Sequence, residues 1–158
     1  MRTVVLSAAL LIACGGPSAE PESAEPVTEA PAAEDPAAMA EFAPAPDARV
    51  FFVSPEAGET LTSPVRVVMG VEGMEVRPAG ELAEGSGHHH LLIDVGHIAE
   101  GDVVPTDTQH IHYGQGETEA ELPLEPGDYT LRLQFADWAH RSFGERLTDT
   151  VQITVAEP

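Results

Sequence analysis

Gly85-Ser86-Gly87-His88-His89-His90-Leu91-Leu92-Ile93-Asp94 decides how this chain is read, and Gln109-His110-Ile111-His112-Tyr113 echoes it. Three histidines run straight into an apolar stretch. If residues 91–95 form a strand, side chains alternate between its faces, with His89, Leu91, Ile93 and Val95 on one side and His88, His90, Leu92 and Asp94 on the other. The first set reads as the core face. The second segment divides the same way, placing Gln109, Ile111 and Tyr113 opposite His110 and His112. Two His-x-His pairs result. Residues i and i+2 of a strand stand about 6.5–7 Å apart at their bases, close enough for two imidazoles to lean onto one cation.

Outward from this stretch, short β-rich runs recur at 50–53, 65–71, 110–113, 118–122, 128–135 and 150–155, separated by proline and glycine. No amphipathic helical pattern of useful length interrupts them. Residues 49–158 suffice for one compact domain and not for two. The expected fold is all-β, an immunoglobulin-like Greek-key β-sandwich of about seven strands. The Ser54-Pro55 and Ser63-Pro64 steps resemble the opening turns of many bacterial immunoglobulin-like domains. Leu124-Glu125-Pro126-Gly127-Asp128-Tyr129 looks like a tyrosine corner, which gives Tyr129 a structural role, its phenol bonding back to the backbone. His89, on the core face, reads as a buried, hydrogen-bonded structural histidine. His97, after Gly96, reads as an exposed loop residue.

The first residues carry one arginine and then an apolar run ending Leu11-Ile12-Ala13-Cys14. This predicts a lipoprotein signal peptide over 1–13, since the run is too short to span a bilayer and its end resembles the lipobox of bacterial lipoproteins. Cys14, the one cysteine of the chain, is the expected lipidation site. Gly15, not aspartate, follows it, which by resemblance to the enterobacterial sorting rule favours the outer membrane, on its periplasmic or surface side. Residues 14–48 then read as the lipidated cysteine and a disordered Ala/Pro/Glu-rich tether that holds the domain away from the membrane. The lipid is the only membrane contact expected.

The chain has a formal net charge of -20, with seven Lys and Arg against 27 Asp and Glu. Phosphate binding needs concentrated cationic side chains, so nucleic acid is excluded as a partner and cations are better ones. A lone cysteine also leaves no intramolecular disulfide to staple the domain.

Together the Gly85-to-Asp94 motif, the run from Gln109 through His112, Tyr113, Gly114 and Gly116 to Glu119, Leu124-x-Pro126-Gly127-x-Tyr129-Thr130-Leu131 and Ala136-Asp137-x-x-His140 resemble the bacterial exported family labelled domain of unknown function 4399. The resemblance covers most of 52–155 and implies an exported β-sandwich. Departures fall at Tyr113, where phenylalanine is expected, and in the 138–143 loop.

Neutral imidazole suits copper(II), zinc and nickel, whereas calcium and magnesium want oxygen. The candidate ligands of a copper or zinc site are therefore His88, His90, His110 and His112, with His140 and Asp94 beside them and Asp94 cast as structural support. The competing reading is an interaction module for a protein or polysaccharide. Its histidines would bond to one another, to Asp94 or Asp137 and to loop backbone, without metal. Catalysis has little support. Ser86 lacks the strand-to-helix context of a nucleophile elbow, Cys14 is committed to lipid, and no phosphate loop or His-Glu-x-x-His helix occurs.

Overall fold

The computed structural model describes residues 43–157, and Cys14, the signal segment and most of the expected tether lie outside them. Nine strands and one short 3-10 turn follow in order: β1 Arg49–Ser54, β2 Thr60–Thr62, β3 Val65–Glu72, β4 Glu75–Val76, β5 Ser86–Ile93, β6 His110–Tyr113, β7 Glu119–Leu122, β8 Gly127–Ala136, the turn Gly144–Leu147 and β9 Thr148–Ala156. The two strands beyond the expected seven, β2 and β4, are three and two residues long. Each pairs in parallel with a longer strand, β2 with β9 and β4 with β5. Runs so short carry no alternation to read.

The strands make two sheets, one ordered β1-β3-β7 and the other β2-β9-β8-β5-β4, with β6 also paired to β5. Alternation explains how they pack. Val65, Val67 and Met69 of β3 turn inward beside Val50 and Leu122, while Arg66 points out to Glu119. From the larger sheet Leu91, Leu131, Leu133, Phe135, Val151, Ile153 and Val155 complete the core. The fold is a β-sandwich, as the sequence implies. Tyr129 Oη donates to the Glu125 carbonyl at 3.0 Å, the backward bond of a tyrosine corner.

β5 runs longer than expected at its start and stops sooner. Ser86 is already paired, whereas Asp94 takes φ 57° and leaves the strand. Its carboxylate accepts from Thr130 N–H at 2.7 Å and its own N–H donates to Thr130 O at 2.9 Å, so Asp94 terminates the ladder and serves structure.

The outer face of β5 and β8 is the part of the fold that positions the site. Leu92 and Gln134 project there, and both are fully buried because two loops lie across them. Gln134 ties both loops down: Oε1 accepts from Ile98 N–H at 3.1 Å and Nε2 donates to Gly144 O at 3.0 Å. Ser142 Oγ adds a bond to Ile98 O at 2.9 Å. Each of these polar groups is satisfied, so the covering is held by specific bonds and not by apolar contact alone.

Candidate metal centre

Register brings the histidines together. His90 of β5 lies opposite His112 of β6 on one side and Gln134 of β8 on the other, and His88 lies opposite Ala136. Paired residues project to the same face, so His88, His90 and His112 all point under the covering loops. Gly87 allows the close approach. A Cβ there would meet the Ala136 carbonyl oxygen at 2.2 Å, so only glycine lets β5 and β8 come together just before the cluster.

His88 and His90 are wholly shielded from solvent. Their Nε2 atoms are 3.0 Å apart, and one ring nitrogen from each of His88, His90 and His112 falls within 4.8 Å of the others. Among the described residues this is the one group of three or more potential ligands placed so closely. Ring centroids of His90 and His112 stack at 5.0 Å, and those of His88 and His112 meet edge-on at 5.0 Å.

Packed imidazoles that also lose water resist protonation. Burial first, then the neighbouring histidines, pushes His88 down to about 3 and His90 down to about 2. His112 is lowered for the same two reasons, and Glu117 opposes the shift. The cluster is therefore neutral at pH 7, with its lone pairs available. His88 Nδ1, His90 Nδ1 and His112 Nε2 are buried without a hydrogen-bond partner among the described residues.

The expected set changes at one position. His110 does not join: lying opposite Leu92, two pairs further along, it sets its Nδ1 2.8 Å from Asp107 Oδ1. The same carboxylate oxygen accepts the Gln109 and His110 N–H groups, and the His110 bond lowers the Asp107 carboxyl below its usual range. His140 does arrive, with its centroid 4.7 Å from that of His112, 5.0 Å from His88 and 6.0 Å from His90. The 137–141 turn delivers it.

A family model described as a domain of unknown function, DUF4399, matches residues 67–156, which include every one of these histidines. The chain belongs to this family. No curated protein gives a significant match. Within the DUF4399 match, the remaining residues singled out from the sequence sort clearly. His89 is buried in the core as expected, edge-on to Phe135 at 5.0 Å, but neither of its nitrogens has a hydrogen-bond partner among the described residues. Burial lowers it to about 4. His97 is exposed.

Two residues shape the DUF4399 cluster in ways that the sequence, which offers both as parts of motifs, does not reveal. A Cβ on Gly114 would fall 2.1 Å from His112 Cε1 and 2.4 Å from its Nε2, so this glycine leaves the space the ring occupies. Asp137, only 3% exposed, builds the turn that carries His140. Close approaches of this kind have no sequence signature beyond the glycine itself.

Proposed function

We propose that the domain binds a copper or zinc ion through His88, His90 and His112. The observation that carries this reading is three close-packed neutral imidazoles, two of them wholly buried, with one nitrogen of each within 4.8 Å of the others and no carboxylate in the group. Nitrogens at about 2.0–2.1 Å from one ion, subtending 90–110°, are separated by about 2.9–3.4 Å, a range that includes the 3.0 Å between His88 and His90 Nε2. An all-imidazole set favours copper or zinc over oxygen-seeking cations.

A metal-free polar network fits less well. Such a network would satisfy its members, yet Asp94 is engaged by Thr130, Asp137 by its own turn, and the cluster holds one His–His hydrogen bond against three unpaired nitrogens. We further propose that Cys14 carries a lipid and residues 14–48 act as a tether, so that the metal is held at the bacterial envelope, the outer membrane favoured. A Cys14→Ser protein found in the membrane fraction at its unaltered mass would remove that part of the reading.

The metal reading is tested by pairwise substitution in untagged protein. His88→Ala/His90→Ala should abolish zinc and copper(II) uptake at micromolar metal, whereas His110→Ala should leave it unchanged. Equal uptake by the double variant and the parent would refute the assignment.

A further inference from the structure

The three strand-borne histidines leave one tetrahedral position to account for, and the 137–141 turn bears on it. Resting on the metal reading above, we propose that His140 fills this position and that Asp137 is the residue that positions it, closing the site to solvent and small anions.

His140 adopts φ 65°, a left-handed conformation uncommon outside glycine, so the turn must be held by specific bonds. Asp137 supplies them. Its Oδ1 accepts from Ala139 N–H at 2.8 Å and Arg141 N–H at 2.9 Å, the two residues flanking His140, and its Oδ2 accepts from Arg141 Nε at 2.8 Å. The main chain of His140 is bonded on both sides, its N–H to Asp137 O and its carbonyl from Val104 N–H, each at 2.9 Å. Arg141 in turn lies over the Trp138 ring, 5.6 Å from its centroid. The backbone is thus fixed while the imidazole stays in ring contact with His88 and His112, beside the nitrogens that gather there.

Four nitrogens saturate a tetrahedral ion. Closed sites hold a metal, whereas reactive ones keep a position open for water or substrate. Asp137 touches no ligand position itself and acts through the turn. The site is accordingly one for holding an ion, and its closure depends on a carboxylate that never meets the metal.

Cobalt(II), which takes tetrahedral nitrogen sites and absorbs visible light, reads the coordination directly. Full-length protein loaded with cobalt should show a spectrum that excess azide leaves unchanged. His140→Ala and Asp137→Ala should both shift on azide addition, and Asp137→Ala should bind cobalt about 10–100-fold more weakly than the parent. A purely structural role for Asp137 would leave the azide response closed, so an Asp137→Ala spectrum that ignores azide overturns the proposal. So does an azide response in the unaltered protein. If Asp137→Ala does not fold, Asp137→Ser, whose hydroxyl keeps one of the two N–H bonds, should respond to azide with intermediate affinity, and a closed site in it counts equally against us. No cobalt uptake by the parent would instead refute the metal reading itself.

Discussion

Metal-free protein is expected to unfold cooperatively between about pH 6 and pH 4, well above the range in which carboxylate-driven acid unfolding alone would act. The cause lies in His88, His90 and His89, which burial holds at about 3, about 2 and about 4 when folded. Unfolded, each returns to about 6.5. The sign follows directly: above pH 6.5 neither state takes the proton and stability is intact, while below it only the unfolded chain binds protons and is favoured. Each histidine then costs roughly 1.4 kcal/mol per pH unit until its folded value is reached. Three acting together remove about 4 kcal/mol per unit, and native domains hold only about 5–15 kcal/mol in total. Urea midpoints measured from pH 7.5 to 4 check this. A flat profile down to pH 4 would contradict the burial of neutral imidazoles. The His88→Ala/His90→Ala protein should have a shallower acid slope than the parent.

The second large effect comes from a methyl group. Gly114→Ala is expected to abolish metal uptake while leaving the thermal midpoint close to that of the parent. The added Cβ would lie 2.1 Å from the His112 ring, which is the free end of a side chain and can swing aside. The fold therefore yields cheaply. The site does not, because a displaced His112 takes one of three converging nitrogens away from a position defined to within a few tenths of an ångström. Titration with zinc beside a melting curve separates the two outcomes. Full uptake by Gly114→Ala would show that His112 is not a ligand.

How far the sequence could be read depended on the range of each interaction. Alternation within one strand correctly divided His88 and His90 from His89 and Leu91, because that division needs only the period of two. The sandwich and the Tyr129 bond were equally legible, resting on local turns and apolar spacing. Which histidine of β6 would face the cluster was not. That choice is made by the register between strands: with His90 opposite His112, His110 falls opposite Leu92 and its ring goes to Asp107. Nothing within 110–113 encodes the register. The cover over the histidine face was not legible either, since the loops pinned by Gln134 and Ser142 lie across it through bonds between residues 36 and 44 positions apart. His140 was recognised as a candidate and Asp137-x-x-His140 as part of the family motif, but that the Asp137 turn delivers His140 to the cluster is a property of the folded loop.

The central claim is that imidazole nitrogens of one buried cluster hold a metal ion, and X-ray absorption on untagged, zinc-loaded protein tests it most directly. The expected result is about one equivalent of zinc with a shell of nitrogen neighbours at about 2.0–2.1 Å and imidazole scattering beyond it. No uptake at micromolar zinc, or a shell without imidazole scattering, would contradict the account.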